Sequence, residues 1–121
     1  MKKILLVAII SLSGCALIPS KWDVNEARAM TDIQISTRYF DCSKSKDQIN
    51  DLQKQIVWFE TYAKFKGSND VAEIFIDISK TVSEFKDRTD KGPISPLYCD
   101  LKKKILIQQA DITAKAVQGR F

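Results

Sequence analysis

SKDQINDLQKQIVWFETYAKFKG, residues 45–67, decides the fold. Its apolar residues Ile49, Leu52, Ile56, Phe59 and Ala63 recur at alternating steps of three and four, the repeat of one helix face turned toward other helices. Ser45 followed by Gln48 reads as a capping box at the start, and Gly67 as the stop. The string QIVWF inside it has strand-like composition, but it belongs to the longer helical period. One helix cannot bury such a face alone, so the flanking sequence must supply partners.

It does so on both sides. Upstream, Asp23 with Glu26 three residues later reads as a helix start, and Val24, Ala27, Met30, Ile33 and Phe40 follow near helical spacing until Cys42. Downstream, a third helix is expected to begin within SNDVAE, with Val71, Ile74, Phe75, Ile78, Val82 and Phe85 on its apolar face. DKGPISP then breaks the chain. Ser95 and Pro96 suit a cap and first helical position, and Leu97, Leu101, Ile105, Gln108 and Ile112 are expected to carry the buried face of a fourth helix reaching Gly119. The fold class expected is all-α, a small antiparallel four-helix bundle running up-down-up-down over residues 23–119. Helices of roughly 18 to 23 residues make it about 30 Å long.

The amino terminus follows a different rule. In MKKILLVAIISLSGC, Lys2 and Lys3 precede an apolar run from Ile4 to Leu12, and the small residues Ser13 and Gly14 lead into Cys15. That is the three-part layout of a secretory signal peptide. A retained membrane helix is the competing reading, but the uncharged run to Ser20 is at the short edge of the roughly 17 to 25 residues a span needs and contains Ser, Gly and Pro. Leu12, Ser13, Gly14 and Cys15 resemble the lipobox of bacterial lipoproteins at every position. The resemblance implies cleavage before Cys15, acylation of its thiol (the palmitate class of modification) and acylation of the new amino terminus. Residues 1–14 are then a removed signal peptide, and residues 15–22 a short lipidated tether. Ala16, in place of the Asp associated with inner-membrane retention, leans toward the cell outer membrane with the domain facing the periplasm.

That address changes how composition is read. Removing Lys2 and Lys3 lowers the formal net charge from +4 by two, a mild balance that does not suggest nucleic acid. Of three cysteines, Cys42 and Cys99 remain in an oxidising compartment, where a disulfide bond is the natural expectation. Closing that loop would stabilise the fold by about 4 kcal/mol in the chain-entropy model. In an up-down-up-down bundle the two cysteines fall at one end, while the tether, Gly67 and the carboxyl terminus share the other.

Chemistry-bearing residues are sparse. The chain has no histidine, no Gly-rich phosphate loop and no ligand cluster at metal-binding spacing, so no enzyme, metal or cofactor is expected. Asp23 with Glu26 and Asp70 with Glu73 sit at helix starts, where the dipole accounts for them. Two surface features remain. Trp58, Tyr62 and Phe65 form a second stripe beside the core seam of residues 45–67, which is either a wide buried face or a groove for a partner segment. Lys44, Lys46, Lys102, Lys103 and Lys104, with Arg88 and Lys91, are expected to gather as a basic patch near the cysteine pair, either as a solvated face or as a contact for an acidic partner.

The function expected is a membrane-anchored, non-enzymatic protein-binding module with two partners, the lipid bilayer through Cys15 and an envelope protein. Lipobox, about a hundred mature residues, four helices and one disulfide together resemble the small helical pilotin lipoproteins of type II secretion in layout. That resemblance implies a groove for a short helical tail of a secretin subunit. A phage- or plasmid-encoded lipoprotein acting in superinfection exclusion, or in lysis like an outer-membrane spanin, is the alternative. Spanin action requires more reach than a short tether and a 30 Å bundle provide.

Overall fold

Local chemistry starts each helix. In the computed structural model, which describes residues 20–119, the Asp23 carboxylate accepts hydrogen bonds from the backbone amides of Asn25 and Glu26 and so caps α1 (Val24–Arg38). A single 3-10 turn (Cys42–Lys44) leads into α2 (Ser45–Phe65). Asp41, not Ser45, organises this entry: its carboxylate accepts from the Ser43 amide and hydroxyl, and its own amide donates to the Gln48 side chain. The expected Ser45/Gln48 box is therefore replaced by an Asp41/Gln48 pairing one turn earlier, because the 3-10 turn occupies the space before the helix. Gly67, at φ +77°, ends α2. Its amide donates to Lys64 and that of Ser68 to Ala63, closing a Schellman motif.

The third expected helix is two. α3 (Asn69–Ile74) and α4 (Ile76–Asp90) meet at Phe75, whose amide donates to the Ala72 carbonyl in a 3-10 step. Ile74 and Ile76 flank the break and hold the helix weakly, being β-branched. Phe75 itself is fully buried and stacks on Phe59 at 4.0 Å between centroids. α5 (Pro96–Gln118) begins as expected, with the Ser95 hydroxyl accepting from the Tyr98 amide. Among the described residues the elements are thus five helices and one 3-10 turn, all-helical but not the four helices expected. Cys15, the 1–14 segment and most of the tether lie outside the described residues.

Contacts between elements run in opposing sequence order. On α1 and α5, Thr31 meets Gln118, Gln34 and Arg38 meet Asp111, and the Cys42 and Cys99 sulfurs stand at disulfide distance with Cα atoms 5.9 Å apart. On α1 and α2, Asn25 meets Tyr62 and Ser36 meets Gln55. On α4 and α5, Glu84 pairs with Lys102 and Phe85 meets Tyr98 edge-on. The core between them takes Met30 and Ile33 from α1, the whole expected face of α2, and Val71, Phe75, Ile78, Val82 and Phe85 from α3 and α4. Val24, expected inside, is exposed, and the fully buried residue one turn into α1 is Glu26.

The largest correction concerns α5. Leu97, Leu101, Ile105, Gln108 and Ile112, expected inside, are all exposed, whereas Cys99, Leu106, Ala110, Thr113, Ala114 and Val117 are buried. The cause is rotation. At about 100° per residue, Leu106, Ala110 and Val117 project within about 20° of Cys99, while Leu97, Leu101, Ile105 and Ile112 lie about 120° to 160° away. Once Cys99 faces Cys42, the inward face is set, and the small residues Ala110 and Ala114 on it favour close approach of a neighbouring helix.

Two outcomes test this account. Leu106→Ala should cost about 2 to 5 kcal/mol in urea unfolding, whereas Leu101→Ala should stay within about 0.5 kcal/mol of the parent; equal costs would reverse the assignment of faces. Reduction of the pair, or Cys42→Ser, should lower stability by about 2 to 5 kcal/mol, and an unchanged midpoint would count against the link.

Candidate functional site

The outer face of α2 carries the aromatic stripe, and it is not buried. Trp58 is 51% exposed, Val57 54% and Phe65 86%, while Tyr62 is half-buried. Trp58 and Tyr62 are one helical turn apart and stack nearly parallel, with centroids 5.1 Å apart and planes 6° from coplanar. A wide buried face is therefore excluded for Trp58 and Phe65, since the helix turns Ile49, Leu52, Ile56, Phe59 and Ala63 inward instead.

Tyr62 is held from below. Its hydroxyl accepts a hydrogen bond from Asn25 Nδ2 at 3.0 Å and donates to Asp23 Oδ2 at 3.5 Å. Asp23 also ion-pairs with Lys66 beyond the end of α2. One carboxylate thus caps α1, receives the Lys66 ammonium and orients the tyrosine on which Trp58 rests. Burial pushes the Asp23 pKa up, but the hydrogen bonds from Lys66, Glu26 and Asn25 outweigh it and leave the carboxyl below its ordinary value.

Trp58 stands between two shallow hollows. One lies on α2 itself, bounded by Gln53, Val57, Thr61 and Phe65, with a volume of about 630 Å3. The other lies in the seam between α1 and α2, bounded by Arg28, Ala29, Asp32 and Gln55, with a volume of about 560 Å3. Such a surface offers an aromatic ridge with an apolar shelf on one side and a mixed-charge shelf on the other. It suits a peptide or helix laid across it.

The lysines at the cysteine end lie among carboxylates. Lys44 and Lys103 both act on Asp41, and Lys46 acts on Asp90, which also accepts from Lys86. Lys102 pairs with Glu84 at 3.5 Å, and it and Arg88 each lie 5.8 Å from the centre of the Tyr98 ring. Lys104 stands apart, beside Ile107, Gln108, Asp111 and Lys115 on the outer side of α5. Carboxylates are thus interleaved through the expected cluster. Asp111 is itself held below its ordinary pKa, first by the Gln34 amide and then by Arg38, against a smaller opposing effect of desolvation.

Two features escaped the sequence reading. The aspartate at 23 was read as a cap alone, and nothing local signals that its carboxylate also reaches α2. The exposed apolar residues of α5 were read as core, although the position of Cys99 on the helical wheel carried the information needed to place them outside. Among the described residues no helix is long and apolar enough to cross a membrane, and no group of three or more His, Cys, Asp or Glu could hold a metal ion. No protein-family model, curated protein or solved structure matches the chain.

Acid titration tests the Asp23 arrangement. Because its folded-state pKa lies below the unfolded value of 3.8, its contribution is complete above that value and is lost as pH falls through the lower folded one. Asp23→Asn keeps a capping side chain but not the charge, so it should flatten the acid limb of stability against pH. An acid limb identical to the parent's would remove Asp23 from this role.

Proposed function

We propose that the chain is a lipid-anchored bacterial or phage-encoded envelope protein, non-enzymatic, whose Trp58–Tyr62 face docks an amphipathic helical segment of another envelope protein. Cys15 is the acylation site, and the outer membrane, on its periplasmic side, is the location. In this reading α3 and α4 act as one bent arm, so that the bundle amounts to four arms running up-down-up-down with the cysteine pair at the end away from the bilayer.

The observation that carries the proposal is the solvent-exposed Trp58 stacked on a Tyr62 whose hydroxyl is already held by Asn25 and Asp23. An aromatic pair fixed in place loses little further entropy when a partner covers it, and aromatic residues dominate the energetics of such contacts. The apolar shelf through Val57 extends the contact along α2 in the direction a helix would lie. The layout shared with pilotin lipoproteins is consistent with the same kind of partner, a short helical tail.

Crosslinked pull-down of the acylated protein from envelope membranes tests this. Trp58→Ala should cost no more than about 1.5 kcal/mol of stability, the scale of one aromatic stack, while reducing recovery of the partner by about tenfold or more. Recovery equal to the parent's, with the variant folded, would overturn the assignment of this face. A Cys15→Ser chain that remains membrane-bound and acylated would overturn the anchor.

A further inference from the structure

We propose that the end of the bundle bearing Trp22, Val24 and Phe65 is a bilayer-contacting surface that seats the domain on the lipid headgroup layer. This rests on acylation at Cys15, and it assigns Phe65 to the membrane and leaves Trp58 and Tyr62 to the protein partner.

The geometry begins where the described chain begins. The Ser20 amide donates to Asp70 Oδ2 at 3.0 Å, which ties the tether to the first turn of α3. The Asp23–Lys66 ion pair ties the start of α1 to the end of α2. Lys21, Trp22 and Val24 therefore share one end of the molecule with Lys64 and Phe65. At that end Phe65 is 86% exposed, Val24 60% and Trp22 48%, and Lys21 and Lys64 are exposed beside them. Exposed aromatic residues with neighbouring lysines have the composition of a membrane-interface belt, with rings at headgroup depth and ammonium groups toward the phosphates.

Chain length determines the occupant. Five chain steps lead from Cys15 to Ser20, and fully extended they span at most about 18 Å. An acyl chain on Cys15 thus keeps this end within about 18 Å of the hydrocarbon, a reach that spans the headgroup layer and lets this end rest on it. Of the carboxylates at this end, Asp23 is offset by the Lys66 ammonium, and Asp70 is occupied by the Ser20 amide. Trp58 lies seven residues before Phe65 on α2, about 10 Å farther from the bilayer, where it stays open to a partner.

The chain contains two tryptophans, which makes the test direct. The full acylated protein is placed in vesicles of phosphatidylcholine and phosphatidylglycerol carrying brominated acyl chains, in two forms. Trp58→Phe leaves Trp22 as the reporter, and Trp22→Phe leaves Trp58. Trp22 emission should fall by about half or more and shift to the blue, as expected of an indole at the interface, while Trp58 should be little changed. Adding Phe65→Glu to the Trp22 reporter should relieve most of the quenching, with an unfolding midpoint equal to the parent's because Phe65 is exposed. Acylated, vesicle-bound protein in which Trp22 is quenched no more than Trp58 overturns the proposed surface and leaves the anchor intact. Protein whose mass shows no acyl chains overturns the anchor, and the surface then stands only if the chain still floats with the vesicles with Trp22 quenched.

Discussion

The contact between Cys42 and Cys99 governs the orientation of α5, and through it the inside and outside of the molecule. Cys42 sits in the 3-10 turn between α1 and α2, and Cys99 in the first turn of α5, so the pair joins three elements at one end. With Cys99 turned inward, Leu106, Ala110 and Val117 follow it into the core and the leucines and isoleucines one half-turn away face outward. The other contacts of α5 agree with that rotation. Asp111 reaches Arg38 and Gln34 on α1, and Lys102 reaches Glu84 on α4.

At the opposite end a single carboxylate plays the matching part. Asp23 caps α1, accepts Lys66 and supports Tyr62, so the first turn of α1 and the last of α2 move together. The consequence is functional as well as structural. It supports the stacked Trp58–Tyr62 pair on an exposed face, and it gathers Trp22, Val24 and Phe65 at the end from which the tether leaves. The proposed bilayer contact and the proposed protein contact thus share one support, with Phe65 about two helical turns beyond Trp58 and less than one beyond Tyr62 on α2.

Different helices were legible to different degrees, for physical reasons. α2 reads correctly because its longest apolar run at three-four spacing, Ile49 to Ala63, is the one buried, and its stop is a glycine whose left-handed φ the turn requires. α5 carries two apolar stripes, one of large residues and one built around Cys, Ala and Thr. Hydrophobic size favours the first, but the sulfur pair and the close approach that alanines permit favour the second. The break at Phe75 had no glycine or proline to mark it. It falls between two β-branched isoleucines, at a buried ring that stacks on Phe59. The aromatic stripe on α2 was visible as a stripe, but its exposure depends on which neighbours α2 has and how closely they approach.

From the sequence alone came the helical class, the positions of most starts and stops, and the pairing partners among the cysteines. These are properties of spacing and residue type, which act over one or two turns of chain. Tertiary structure alone decided which face of α5 is inside, that Asp23 reaches across to Lys66 and Tyr62, and that Trp58 and Phe65 remain in solvent. Those depend on helix rotation and on contacts between residues about forty or more apart, and a local pattern carries that information only when a cross-link such as Cys42 to Cys99 is used to orient it.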